Sequence, residues 1–217
     1  MNETLFMPTA TGTETAATAV DTVEIRDDDG QLRHSVRLQD GELHGHVESY
    51  DERGQLMQRA TYQDGLRHGG SEYRDDGRLQ MTQHHDKGLA HGPTVVYDPA
   101  GHVAAELNFV QGLLQGEARY YSLGRLVRRA NYKDGKLDGV AEDMTMDGLV
   151  IQRTTYQNNV LHGPMVRYWT NGQVMEKSSY DKGLCVGDVA RFDQNGKPQG
   201  APAPKLGERM EKLFRGG

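Results

Sequence analysis

The sequence predicts an all-β fold: an elongated, twisted, antiparallel single-layer sheet of about seven β-hairpin repeats, each 23–24 residues long. Three observations lead to this prediction. Glycine recurs at a nearly constant interval in three separate registers, aliphatic and aromatic residues alternate with polar ones between the glycines, and turn sequences such as Lys133–Gly135 end the alternating runs. The alternation has the two-residue period of a half-buried strand, without the helical period of about 3.6 residues.

The glycine that begins each repeat defines the period. It is found at Gly30, Gly54, Gly77, Gly101, Gly124, Gly148, Gly172 and Gly196. A second register holds Gly41, Gly65, Gly88, Gly112, Gly135, Asn159 and Gly183. A third holds Gly45, Gly69, Gly92, Gly116, Gly139, Gly163 and Gly187. Tandem units at such a spacing form arrays in which each unit packs on its neighbours and the whole presents one long surface.

The first strand of each repeat follows its first glycine. Counted from that glycine, offset +2 is aliphatic in every full repeat, offset +6 is mostly small and offset +8 is mostly aromatic, as in Leu56, Ala60 and Tyr62. Because side chains alternate between the two faces of a strand, these even offsets are predicted to share one face. Rows of leucine and tyrosine stacked along that face are the predicted core.

Two turns complete each repeat. The first is marked by sequences such as Gln63–Gly65, because glycine adopts a positive φ at little cost. The third glycine is predicted to let the backbone approach an aromatic ring closely. The second strand ends four residues before the next first glycine, at Tyr50, Tyr73, Tyr97, Tyr120, Met144, Tyr168 and Phe192. Since that distance is constant, the one-residue deletions in the second and fourth repeats are predicted to lie inside the second strand.

The repeats divide the chain into three parts. Residues 1–20 are predicted to be a flexible N-terminal segment, residues 21–200 the repeat domain, and residues 201–217 a tail with a short amphipathic helix that caps the array. The apolar side of that helix carries Leu206, Met210, Leu213 and Phe214. The N-terminus lacks a basic start and a long apolar run, which predicts a cytoplasmic protein, with an atypical export route left open. The one cysteine, Cys185, suits a reducing compartment.

Charge and motifs narrow the classes of function. Residues 1–100 carry 18 acidic against 9 basic residues, which argues against nucleic-acid binding. His44, His68, His91 and His162 share one repeat position, and equivalent positions lie about 10 Å apart in such a sheet, too far for zinc ligands at about 2 Å. They are interpreted as turn residues. Metal-protease, hydrolase and phosphate-loop motifs are lacking, so we expect no catalysis, cofactor or metal.

A candidate partner-binding surface lies on the odd offsets of the first strand, opposite the predicted core. Offset +5 is cationic in the late repeats, and offset +3 is often aliphatic or methionine. Arginine and methionine are enriched at protein interfaces. The residues predicted to bind a partner are Arg129, Arg153, Lys177, Met57, Val127, Ile151 and Met175. An ordinary solvated strand face is the alternative interpretation.

The repeat unit resembles the MORN repeat, the membrane occupation and recognition nexus, in the variant found in bacterial antitoxin-like proteins. The passages Tyr156–Gly183 and Ala90–His102 are the most similar, with a histidine–glycine–proline core in each. Other copies depart from the pattern, with Gln115, Asp138 and Val186 where the family favours histidine. The resemblance supports the hairpin-repeat fold.

The resemblance implies a non-catalytic protein that binds and neutralises a cognate bacterial toxin or secreted effector, encoded by an adjacent gene. Other MORN arrays act at membranes, so a second hypothesis is a scaffold that binds anionic lipid through the late basic repeats. A third is an assembly protein that associates through its edge strands. The sequence leaves the toxin, the binding face or edge and the oligomeric state open.

Overall fold

The computed structural model describes residues 20–200, and every regular element in that range is a β-strand. The predicted N-terminal segment, up to residue 19, and the predicted helix with Leu206, Met210, Leu213 and Phe214 lie outside the described residues. Between residues 20 and 200 there is no helix of the length and hydropathy needed to cross a bilayer. The all-β prediction is confirmed for this part of the chain.

The strands follow one another at short intervals. They are β1 (Val20–Arg26), β2 (Leu32–Gln39), β3 (Glu42–Tyr50), β4 (Leu56–Gln63), β5 (Leu66–Asp75), β6 (Arg78–Asp86), β7 (Leu89–Tyr97), β8 (Val103–Val110), β9 (Leu113–Leu114), β10 (Gly116–Ser122), β11 (Arg125–Lys133), β12 (Lys136–Met144), β13 (Val150–Gln157), β14 (Val160–Tyr168), β15 (Val174–Asp181), β16 (Leu184–Phe192) and β17 (Pro198–Gln199).

The strands form one open antiparallel meander. Each strand pairs with the strands before and after it, and β9 and β10 are two parts of one strand that both pair with β8. Seven hairpins result, from β2–β3 to β15–β16, with β1 added at one end and the short β17 at the other. The predicted array of seven hairpins is therefore confirmed.

The turn inside each hairpin is a tight two-residue reversal. Asp64 and Gly65 connect β4 to β5 with φ values of 50° and 77°, the double positive φ of a type I′ turn. Asn159 takes the glycine position in the sixth repeat with φ 68°, as asparagine tolerates this region. The Gly65 N–H also donates to the Leu43 carbonyl at 3.0 Å, so the tip of one hairpin is tied to the preceding hairpin.

Four of the longer turns, those that begin at Asp27, Asp51, Asp98 and Asp193, are organised by an aspartate. Asp51 Oδ1 accepts hydrogen bonds from the backbone N–H groups of Arg53 and Gln55, each at 2.8 Å. Asp27 occupies the same place one repeat earlier, and the backbone hydrogen bond from Gln31 is the main cause that lowers its pKa. The aspartate side chain thereby satisfies backbone donors that the turn leaves unpaired.

The one-residue deletions lie in the turns between repeats, so their predicted position inside the second strand was wrong. Tyr50 pairs with Leu56 across five intervening residues, whereas Arg74 pairs with Leu79 across four. Tyr121, like Arg74, precedes a shortened turn. The distance from the third glycine to the residue paired with offset +2 across the turn, such as Tyr50 or Arg74, stays constant instead. The prediction failed because it was measured from the next first glycine, which belongs to the variable turn.

The core is a row of small side chains across the middle of one face, which we call the packed face. Strand pairing places Ala60 beside Ser71 and Ala130 beside Ala141, and the row continues through most strands of the sheet. Its buried members are Ala60, Ser71, Thr94, Ala118, Ala130, Ala141, Thr154 and Ser178. Most offset +8 aromatics are only half-buried beside this row. The predicted aromatic core is thus corrected: in a single layer nothing covers a ring, whereas flanking side chains can cover a small residue.

The third glycine of each repeat lies at a bulge within the hairpin. Gly139 has φ 108°, and strand pairing places Tyr156 opposite it. A Cβ added at Gly139 would meet Asn131 Cβ at 3.2 Å, so the close approach is to the same hairpin and not to the predicted aromatic ring. A second bulge, at offset +3 of the next strand, leaves Met57 outside the pairing register. The two-residue alternation is therefore interrupted between offsets +2 and +4.

Candidate protein-binding face

We call the side of the sheet opposite the packed face the charged face. It carries a continuous row of residues that pair directly from one strand to the next, which we call the charged row. Arg59 belongs to this row because it neighbours Ala60 of the packed face in β4. In strand order the row contains Glu24, Ser35, Glu48, Arg59, Glu72, Thr82, Val95, Glu106, Arg119, Arg129, Glu142, Arg153, Val166, Lys177 and Ala190.

Two of the predicted cations share one carboxylate. Arg129 Nη2 lies 2.5 Å from Glu142 Oε2, and Arg153 Nη2 lies 2.6 Å from Glu142 Oε1. The Glu142 side chain is only 5% exposed, while the two arginines are nearly half exposed. Burial by itself raises the pKa of Glu142, but the hydrogen bonds from Arg153 and Arg129 outweigh it and hold the pKa below its ordinary value. Each guanidinium is therefore fixed in place with part of its donor edge still facing solvent.

Lys177, the third predicted cation, has a different environment. It lies opposite Val166 and Ala190, and no carboxylate of residues 20–200 comes within 4.0 Å of it. Arg119, which the prediction omitted, pairs with Glu117 at 2.8 Å and lies 3.7 Å from Glu106. The charged row is therefore a mixed row of arginines and glutamates, and not the run of cations that the first strands alone suggested.

The predicted apolar residues lie on the same face, each at an offset +3 bulge two positions before a charged-row residue. Val127, Ile151 and Met175 lie on β11, β13 and β15 and flank the row beside its late cations. Ile151 is 37% exposed. Met57 is more exposed but lies on β4, separated from β11 by the strands β5 to β10. The structure thus brings six of the seven predicted residues together and leaves Met57 apart.

Some tyrosines at or near the ends of second strands also belong to the charged face, although they were not among the residues predicted to bind a partner. The Tyr50 hydroxyl donates to Glu48, and the Tyr121 hydroxyl donates to Glu106 at 2.8 Å. Tyr168 has the same pairing as Tyr50 and lies close enough to Arg153 to raise its pKa slightly, after the larger effect of Glu142. The signal was the two-residue spacing of Glu48 and Tyr50, since such residues share a strand face.

Three of the four histidines at the repeat position before the third glycine lie close to a carboxylate of the next hairpin. His68 Nδ1 lies 3.2 Å from Asp86, and His162 Nδ1 lies 3.3 Å from Asp181. Within residues 20–200, no three or more histidine, cysteine, aspartate or glutamate side chains cluster in a way that could hold a metal ion. The observed contacts therefore join neighbouring hairpins near their two-residue turns.

The packed face holds a hydrogen-bonded serine and histidine. Ser71 Oγ lies 3.3 Å from His85 Nδ1. Ser71 is 3% exposed and His85 is 8% exposed, so the hydroxyl is covered by neighbouring side chains. Burial is the main cause that lowers the pKa of His85, which favours its neutral form. The pair is placed to satisfy two buried polar groups.

Two segments of the chain, residues 43–64 and residues 161–182, match the family model described as MORN repeat variant. Both segments begin in the second strand of one hairpin and end in the two-residue turn of the next, so they are equivalent parts of different repeats. The chain therefore carries repeats of the MORN variant type, and the strand pairing extends the same geometry to the hairpins between them. No curated protein matches the sequence.

Proposed function

We propose that this protein is a non-catalytic binding protein of the immunity or antitoxin type, which neutralises a cognate toxin or secreted effector by covering it with the charged face. The proposal depends on one observation: Arg129, Arg153 and Lys177 lie on alternate strands of one open face, beside an exposed isoleucine and half-buried tyrosines. The MORN variant repeats support the binding role.

The composition of this region suits a protein partner. Arginine and tyrosine are enriched among residues that dominate binding energies, and both are present beside Ile151. Glu142 holds Arg129 and Arg153 in fixed positions, which lowers the side-chain entropy lost on binding. A partner that presents carboxylates and a small apolar patch fits this arrangement best.

The distribution of charge favours a protein over a lipid surface. Binding to anionic lipid gains about 1 kcal/mol for each cation near the membrane, but this gain needs cations without neighbouring carboxylates. On the charged face, Arg129 and Arg153 share Glu142, and Arg119 lies between Glu106 and Glu117. Lipid binding therefore stands as the alternative outcome of the experiment.

The test is co-expression with the product of the adjacent gene, followed by size-exclusion chromatography with light scattering and an assay of the partner's toxicity. A one-to-one complex that abolishes toxicity is expected. Ile151→Asp and Lys177→Glu should each weaken the complex at least roughly tenfold, equivalent to about 1.4 kcal/mol. Lys133→Glu is the matched control, because it makes the same charge change at an exposed hairpin tip outside the charged row.

Two results would contradict the proposal. One is a toxic neighbour that forms no complex with the full chain. The other is a complex whose affinity is the same in Ile151→Asp, Lys177→Glu and the Lys133→Glu control, which would place the contact elsewhere. Co-sedimentation with vesicles containing phosphatidylserine, lost in Lys177→Glu, would instead support the lipid alternative.

A further inference from the structure

Apart from Ala190 at its end, the charged row has charges that are antisymmetric about a point between Val95 and Glu106. Residues at equal distances from that point on the two sides can be compared. The charged pairs at equal distances are Glu24 with Lys177, Glu48 with Arg153, Arg59 with Glu142 and Glu72 with Arg129. Every one of them joins opposite charges. The other equidistant pairs contain at least one uncharged residue, so no like charges are related in this way.

From this pattern we propose that the charged face docks on the charged face of a second copy of the chain, with the two sheets antiparallel in strand order. A two-fold axis parallel to the strands, passing between Val95 and Glu106, reverses the order of strands and keeps each residue's position along its strand. The charged row of one copy then faces the charged row of the other. The contact is isologous, so each complementary pair occurs twice.

The distances along the charged row mean that the widely separated residues of these pairs can meet only in two different molecules. Glu24 and Lys177 lie thirteen strand steps apart in the row, roughly 60 Å at about 4.8 Å per step, so they do not interact within one chain. Sheets packed face to face lie about 10 Å apart, a gap that an exposed glutamate and an exposed lysine or arginine, such as Glu24 and Lys177, can bridge. Lys177, without a carboxylate within 4.0 Å among the described residues, then gains a partner.

The electrostatics also select the orientation. Stacking the two copies in the same strand order would place Glu24 over Glu24 and Lys177 over Lys177, and like charges brought together cost affinity. The antiparallel order replaces these by opposite pairs. It also places Ile151 of one copy over Tyr50 of the other, and Tyr168 over Arg33, where a guanidinium can stack on the ring.

This dimer uses the face to which we assign toxin binding, and it goes beyond that function. A toxin that binds the charged face has to displace the second copy, so free protein would be stored as a dimer and would dissociate on complex formation. The two proposals fail separately: a monomeric protein would leave the toxin-binding face available, and a dimer that binds no toxin would retain its own contact.

The test measures the mass of the full chain by sedimentation equilibrium over a range of concentrations, at about 50 mM and about 500 mM salt. A dimer that dissociates at the higher salt is expected, because exposed ion pairs are screened there. Glu24→Lys and Lys177→Glu should each raise the dimer dissociation constant at least roughly tenfold. The double variant Glu24→Lys/Lys177→Glu should restore dimerisation, because the reversed charges meet again across the two-fold axis.

A second pair separates the face-to-face dimer from an end-to-end assembly. Glu72 and Arg129 lie in the central part of the row, far from both edges of the sheet. Glu72→Lys and Arg129→Glu should each weaken the dimer, and together they should restore it, whereas Lys133→Glu should leave it unchanged. A monomer at every concentration in low salt, masses that grow beyond the dimer, or double variants no better than the singles would each overturn the proposal.

Discussion

Tyr50 and Tyr73 lie the same number of residues before the glycine that begins the next repeat, yet their side chains lie on opposite faces of the sheet. The Tyr50 hydroxyl donates to Glu48 on the charged face. The Tyr73 hydroxyl accepts a hydrogen bond from Arg67 Nη1 at 2.9 Å on the packed face, where Arg67 Nε also contacts Tyr62. Because the turn after β5 is one residue shorter, the tyrosine at this position lies on the packed face and not on the charged face.

Tyr73→Phe is expected to destabilise the protein because it removes the acceptor for a half-buried guanidinium. Net contributions of hydrogen bonds to charged groups are about 1.5–3 kcal/mol, and the contact of Arg67 with Tyr62 that remains should keep the loss near the lower end. Tyr120→Phe should cost about 0.5–1.5 kcal/mol, because it removes a partly buried hydrogen bond between two neutral hydroxyls, those of Tyr120 and Tyr132. Urea denaturation measures both. A free energy of unfolding unchanged in both variants would contradict these assignments.

Gly139→Ala is expected to cost about 1–2 kcal/mol, the penalty of a left-handed backbone conformation for a residue with a Cβ. The φ of Gly139 is 108°, and the added Cβ would also press on Asn131 at 3.2 Å. Gly70→Ala is the matched control, since Gly70 lies in a strand without a positive φ and with no atom within 4 Å of an added Cβ. Thermal unfolding should separate the two variants by several degrees, and equal melting temperatures would be inconsistent with the bulge.

Ala130→Leu is expected to destabilise by about 1–3 kcal/mol, because overpacking forces side chains or backbone to shift. Ala130 is fully buried between Ala118 and Ala141, which are also fully buried. The control Ala190→Leu places the same side chain on the exposed strand β16. Hydrogen exchange should show faster opening of β10 to β12 only in the first variant. If both variants exchange like the parent chain, the packed row is not the core.

Glu142 is expected to contribute stability that depends on pH. Its pKa is lowered from the ordinary 4.5, so the contribution is fully present above that pH and is lost as pH falls through the lower pKa of the folded state. Glu142→Gln should reduce stability at pH 7 by about 1–3 kcal/mol, because two arginines lose a charged acceptor. The same variant should lose less stability than the parent chain between pH 5 and about pH 3. Parallel losses in both proteins would contradict the proposed linkage.

Much of the fold could be predicted from the sequence because its main signals are local. The two-residue turns need glycine or asparagine at positive φ, and residues such as Gly65 and Asn159 therefore mark every hairpin tip. Alternation then assigns Ala60 and Arg59 to opposite faces without knowledge of their neighbours. The period of 23–24 residues places successive hairpins side by side in one meander.

The site was predicted only in part, because its chemistry comes from the neighbouring strand. Arg129 and Arg153 can be recognised as cations from the first strands of their repeats. Only strand pairing shows that Glu142 lies between them and that its carboxylate is buried there. The side of the sheet on which Tyr50 lies depends on which residues form the turn between β3 and β4 and which residue forms the bulge in β4.

The sequence by itself determined the repeat, the hairpins and the alternation, because these depend on backbone conformation within a few residues. Only the tertiary structure decided which side chains meet across strands, and therefore which cations are paired and which tyrosines share their face. Strand register depends on turn length and bulges acting together, and a change of one residue in either, as after Tyr73, transfers a side chain to the other side of the sheet.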